Sequence, residues 1–170
     1  ARPLYGAFQS LLKGRETRGA LDIEMPEMQV RIAEDGSCAS ITPRDRFGSH
    51  RLIEEFMVLA NVAAAETLER RKRACVYRVH DTPNPDKVEE LRNNLEGFGI
   101  KFARGQVLQA KLFNRVLEQA KGQDFQQTVN LLVLRSQSQA VYSPFNLGHF
   151  GLGLRRYAHF TSPIRRYSDL

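Results

Sequence analysis

The chain has no tryptophan and only two cysteines, Cys38 and Cys75, in 170 residues. They lie far apart with no C-x-x-C spacing, which excludes a zinc ribbon or a thioredoxin-like redox motif. Two isolated thiols suit reduced, buried cysteines of a cytosolic protein. No apolar run approaches the roughly 18 residues that a membrane span needs, and no signal peptide opens the chain. Clustered carboxylates are also missing. The acidic residues Asp22, Glu24, Asp35, Asp45, Asp81, Asp86, Asp124 and Asp169 form no D-x-D group. Metal-dependent phosphodiester chemistry needs close carboxylates, so no metal set is expected in this chain. The histidines His50, His80, His149 and His159 show no ligand spacing, and there is no G-x-S-x-G, no P-loop and no Cys-His nucleophile pair. His159 beside Ser162 is not read as a triad. The first residue is Ala1 rather than methionine, and the chain stops within a helical pattern at Leu170. Both ends read as cut, so a piece of a longer protein is expected.

What is present is a globular composition with a cationic surplus. Hydrophobic residues make up 42% and charged residues 26%, which excludes a disordered chain. The formal net charge of +6 and pI near 9.6 favour a polyanionic partner such as nucleic acid. Residues 3–13 carry apolar side chains at helical spacing: Leu4, Ala7, Phe8, Leu11 and Leu12. Alternation then marks three strands, 20–25, 29–33 and 38–42, the last two joined by the turn E-D-G-S. Together they read as a small antiparallel meander. A long helix follows over 49–73 with Ser49 as its N-cap. Its expected core stripe is Ile53, Phe56, Ala60, Ala63 and Ala64, with Glu55, Glu66 and Glu69 facing solvent. Residues 75–80 read as a strand. D-T-P-N-P turns into a helix over 86–97 that stops at Gly97 and Gly99. Two more helices are expected over 106–121 and 124–135, then a short strand in Q-A-V-Y-S and a glycine-punctuated loop, G-H-F-G-L-G-L. The fold class is α+β, helix-dominated, in a single unit over 1–170.

Two constellations carry chemistry. The chain closes on Y-A-H-F-T-S-P-I-R-R-Y-S-D-L, residues 157–170. Ser162-Pro163 has the form of a helix start, which puts Arg165 and Arg166 in the first turn. Cations are disfavoured there because a helix N-terminus carries partial positive charge and free N–H donors. An anion resolves the conflict, and phosphate is the obvious one. Arg155, Arg156, Tyr157, His159, Phe160 and Tyr167 surround this pair, and aromatic rings stack on bases. The plainer alternative is a solvated basic helix end beside core aromatics. The second constellation is Glu54. On a helical wheel it shares a row with Met57, Val58, Asn61 and Ala65. A carboxylate in a mostly apolar row needs a partner. That partner is either an arginine of the same core or a ligand hydroxyl in a cleft.

The segment H-F-G-L-G-L-R-R-Y-A-H-F-T-S-P-I-R-R-Y-S-D-L strongly resembles a signature near the end of the RNB catalytic domain of the ribonuclease II and ribonuclease R family. Residues 50–65, H-R-L-I-E-E-F-M-V-L-A-N-V-A-A-A, resemble that domain's central helix, and 18–27 and 77–87 match further motifs in the expected order. The ribonuclease R branch is the nearer. The resemblance implies a processive 3′→5′ exoribonuclease that hydrolyses single-stranded RNA to 5′-mononucleotides with Mg²⁺ in the bacterial cytoplasm, as a monomer with no membrane partner. It implies Arg165 as the catalytic contact to the reacting phosphodiester. Arg166, Tyr167 and His159 become substrate-binding, and Glu54 contacts the terminal ribose hydroxyls. Departures accompany it. The family's upstream aspartate cluster and stacking tyrosine are absent, as are the flanking OB-type domains. Ile23 stands near a position where some members carry a stacking phenylalanine, and an aliphatic side chain cannot take that role. The chain thus matches the C-terminal portion of the catalytic domain. Mg²⁺ is expected in the parent enzyme but not on this fragment, and the fragment alone is expected to be inactive. A non-catalytic single-stranded RNA-binding module is the alternative.

Overall fold

The structure is a computed structural model that describes residues 2–102, 104–105 and 107–161. Among these it has five helices and two small antiparallel sheets, so the α+β class holds. Helix α1 (Arg2–Arg18) opens the chain, longer at both ends than its apolar pattern indicates. It stops at Gly19, whose φ of 67° is a left-handed conformation that glycine adopts without strain.

The strand expected over 20–25 does not form. Its backbone is claimed by side chains and a loop instead. Asn114 accepts from the Asp22 amide at 3.1 Å and donates to the Ala20 carbonyl at 2.8 Å. Asn130 donates to the Glu24 carbonyl at 2.7 Å, and the Leu21 amide donates to the Gly151 carbonyl at 2.7 Å. With its polar groups satisfied this way, the segment needs no ladder. The meander is therefore a hairpin of β1 (Met28–Ile32) and β2 (Cys38–Pro43), in register at Val30↔Ile41. Its turn is pinned by Asp35, which accepts from the Ser37 amide at 2.9 Å. The hairpin is open to solvent, so Cys38 is exposed and only Cys75 is the buried thiol that the sequence led us to expect.

Helix α2 (Gly48–Arg70) begins one residue before Ser49. Its N-cap is Phe47, which makes no side-chain capping bond. Its buried residues are Leu52, Glu55, Asn61 and Ala65. The expected stripe is displaced: Ile53 is 56% exposed and Ala63 is exposed. The physical reason is that this helix carries Ile, Phe, Met, Val, Leu and Ala around most of its circumference, so periodicity does not select one face. Two long-range polar contacts, described below, decide it.

Strand β3 (Tyr77–Val79) pairs antiparallel with β4 (Val141–Ser143), and both are shorter than expected. Between them run α3 (Pro85–Glu96), α4 (Ala110–Ala120) and α5 (Gln126–Ser136). Asn84 caps α3 by accepting from the Asp86 amide at 2.8 Å, with Pro85 in the first turn. Val88, Leu91 and Leu95 of α3, Phe113, Val116 and Ala120 of α4, and Val129 and Val133 of α5 form the main core. A smaller core joins Ala65 of α2 to Cys75, Tyr77, Val79 and Ala158. That second core brings α2, the β3–β4 sheet and the run leading to residue 161 together.

Candidate functional site

Helix α2 carries the first candidate, Glu54. Its side chain is half-exposed and receives a hydrogen bond from Arg46 at 2.6 Å. The expectation of a carboxylate in a buried apolar row is corrected: the buried carboxylate is its neighbour Glu55, 5% exposed. Arg15 of α1 donates to Glu55 at 3.0 Å and also to the Leu21 carbonyl at 3.3 Å, with Asp22 at 3.4 Å. A fully buried carboxylate requires such a partner. Arg15 lies forty residues earlier in sequence, where a helical wheel of α2 cannot see it.

Two turns along α2, Asn61 is 1% exposed and its amide is fully engaged. Its Nδ2 donates to the Tyr157 hydroxyl at 2.9 Å and to the Thr161 hydroxyl at 3.2 Å. Its Oδ1 accepts from the Phe160 amide at 3.1 Å, and its carbonyl accepts from the Ala158 amide at 3.4 Å. One residue thus grips the run 157–161 at four points. The sheet grips the same run from the other side, where the Arg78 amide donates to the Tyr157 carbonyl at 2.8 Å.

Aromatic rings surround this grip. His159 lies nearly parallel to both Tyr142, at 6.4 Å and 16°, and Tyr157, at 6.3 Å and 15°. Its Nδ1 is hydrogen-bonded to the Tyr142 hydroxyl at 3.0 Å. The Arg78 guanidinium sits 4.6 Å over the Tyr142 ring. Beneath them, His149 packs edge-to-face on Tyr157 at 5.3 Å and on His80 at 5.0 Å. Burial, reinforced by the neighbouring His80, lowers the His149 pKa to about 4. His80 is lowered too, chiefly by burial. Its Nδ1 accepts from the Gly151 amide at 2.9 Å, so the proton sits on Nε2 and is donated to the Ser138 carbonyl at 2.8 Å. A side chain at Gly151 would meet His80 Nδ1 at 2.9 Å, which is why the loop carries glycine there. The sequence pattern gave these two histidines no role, and their signal was only their closeness to the glycine loop.

The basic residues divide. Arg156 is paired with Glu69 at 2.8 Å, and Glu69 also accepts from Tyr77 at 2.9 Å. Arg155 is exposed and lines a cleft of about 650 Å³ with Arg18, Lys111, His80 and His149. Arg165, Arg166 and Tyr167 lie outside the described residues. Arg46 was missed in the sequence; its signal was the P-R-D-R run eight residues before Glu54. Asn61 was placed on the Glu54 row without a role, although a lone amide in an alanine-rich stretch of helix implies specific partners.

The described residues do not fit a catalytic metal. No group of three or more His, Cys, Asp or Glu side chains among them is placed to hold one. Glu54, Glu55 and Glu69 are each turned toward a guanidinium. No described helix is long and apolar enough to cross a membrane.

Comparison with known proteins agrees with the motifs. The family profile described as RNB domain matches residues 2–170. The chain is 43% identical to a ribonuclease R of Aquifex aeolicus over 169 residues, which is 99% of this chain and 24% of that protein. It is 42% identical to a ribonuclease R of Thermotoga maritima over 161 residues, 94% of this chain and 23% of that protein. The chain therefore spans about a quarter of the length of the curated relatives it matches. Among solved structures, Mycoplasma genitalium RNase R in complex with ribose-methylated single-stranded RNA superimposes with a TM-score of 0.88 at 28% identity, covering 99% of this chain and 26% of that one.

Proposed function

The chain belongs to the RNB-domain family, and from that membership we propose that it forms the phosphate- and ribose-binding part of a 3′→5′ exoribonuclease acting on single-stranded RNA. The observation that carries this reading is the grip of Asn61 on the run 157–161. It brings the residues leading into S-P-I-R-R against the helix that bears Glu54.

In this reading Arg165 meets the scissile phosphodiester. A guanidinium aimed there stabilises charge that grows in the transition state, beyond what it does for bound RNA. Arg166 and Tyr167 hold neighbouring nucleotides by phosphate contact and stacking. His159, braced between two tyrosines, adds a contact from the run itself. Glu54 accepts a hydrogen bond from a terminal ribose hydroxyl. Its ion pair with Arg46 does not prevent this, because a carboxylate offers about four lone-pair sites. Such a half-exposed pair contributes little on its own, about 0–1 kcal/mol, and is readily rearranged. The Mg²⁺ that this hydrolysis uses is held by carboxylates outside this chain. The enzyme works in the cytoplasm and as a monomer.

The test is product analysis with 5′-labelled oligo(A) and Mg²⁺. The complete enzyme shortens the oligomer from its 3′ end and releases 5′-mononucleotides, while the 170-residue chain alone releases none. Persistent full-length RNA with the complete enzyme, bound but uncut, would instead establish a non-catalytic RNA-binding module.

A further inference from the structure

We propose that Asn61 is a positioning residue that sets the placement of Arg165 relative to Glu54. This rests on the functional reading above and assigns a role to a side chain that touches neither phosphate nor ribose in that reading. Asn61 and Glu54 are seven residues apart on α2, so they rise on the same row of one rigid element. Every side-chain polar atom of Asn61 is spent on the run 157–161. Nδ2 donates to Tyr157 at 2.9 Å and to Thr161 at 3.2 Å, and Oδ1 accepts from the Phe160 amide at 3.1 Å. The last of these partners, Thr161, stands four residues before Arg165 in sequence.

Burial alone does not explain this choice of residue. Asn61 is among the largest fully buried side chains, and an apolar residue of its volume, leucine, would fill the space. What leucine lacks is the ability to hold one backbone amide and two hydroxyls at once. Tyr157 is itself fixed by His149 at 5.3 Å and by the Arg78 amide at 2.8 Å. The amide of Asn61 therefore joins the helix bearing Glu54 to an already braced strand of chain. It fixes the sliding of one along the other. An error of about 1 Å in such placement costs on the order of 10²-fold in rate.

The test is a double-mutant cycle in the complete enzyme, read as single-turnover cleavage of oligo(A) at saturating enzyme. Asn61→Leu is expected to lower the rate by about 10²-fold with little change in RNA affinity. In an Arg165→Ala background the same substitution should cost less than about threefold, since there is no guanidinium left to misplace. Asn61→Asp should recover the rate to within about tenfold of wild type. Its carboxylate still accepts from the Phe160 amide, and the Tyr157 and Thr161 hydroxyls can reverse and donate. If Asn61→Leu fails to fold, the pair Tyr157→Phe and Thr161→Val, which deletes only the two hydroxyl contacts, replaces it in the cycle with the same expectation. Equal losses in both backgrounds would overturn the proposal and make Asn61 a packing residue. A wild-type rate for Arg165→Ala would sink the functional reading itself, and that result is separate from the first.

Discussion

Glu54 and Arg46 meet at 2.6 Å with both side chains half in water, an arrangement suited to accepting a further donor. If that donor is a ribose 2′-hydroxyl, deoxyribose leaves Glu54 without it once the site is filled. The loss is then about 1–3 kcal/mol, the cost of an unmatched polar group taken from water. Glu54→Ala removes the reward for RNA and the penalty against DNA together. In the complete enzyme, cleavage of RNA should fall while the RNA-to-DNA ratio narrows. The measurement compares oligomers that differ only in the sugars of their last 3′ nucleotides. Equal loss on both would make Glu54 no more than the ion-pair partner of Arg46.

At the scale of elements, α2 is the axis of the site, and its orientation is held by two contacts from opposite ends of the chain. Arg15 of α1 reaches Glu55 at 3.0 Å, and Tyr157 reaches Asn61 at 2.9 Å. Glu55 was expected on the solvent side, and with it a harmless substitution. Its burial reverses that expectation. Removing one partner of a buried pair leaves the other charge uncompensated, so Glu55→Ala should lower unfolding free energy by about 3–5 kcal/mol. Denaturant titration checks this, and a midpoint unchanged from wild type would contradict it. The same contacts show what the sequence could and could not convey. Helix α3 was legible because its start is local chemistry: Asn84 caps and Pro85 opens it. The β1–β2 hairpin was legible for the same reason, from alternation around a D-G turn. The face of α2 was not, because apolar side chains nearly encircle it and the deciding partners lie 40 and 96 residues away. The false strand at 20–25 failed likewise, since Asn114 and Asn130, distant in sequence, took its backbone groups. Among site residues, Glu54 was found by its place beside the family's motif, whereas the structural work of Asn61 needed coordinates.

For the whole molecule, the layer of His80, His149, Tyr157 and Tyr142 beneath the run 157–161 makes stability depend on pH. His149 is lowered by burial to about 4 in the fold, against an ordinary value of 6.5. Above 6.5 neither folded nor unfolded chain binds a proton there, and its contribution is fully present. Between 6.5 and 4 the unfolded chain takes up a proton that the folded one refuses, so stability falls as pH drops. Urea midpoints measured across this window should decline, and His149→Asn, which keeps an acceptor without titrating, should flatten the decline. The same slope in wild type and variant would remove His149 from the account. The central claim concerns Arg165, and it is tested most directly by single-turnover cleavage of oligo(A) by the complete enzyme at saturating concentration. Arg165→Ala should slow the chemical step by on the order of 10²–10³-fold, by analogy with loss of one oxyanion donor. Arg165→Lys should restore little, since lysine lacks the planar fork. A saturated rate equal to wild type, with only weaker RNA binding, would contradict the claim and reduce Arg165 to a contact that holds the strand.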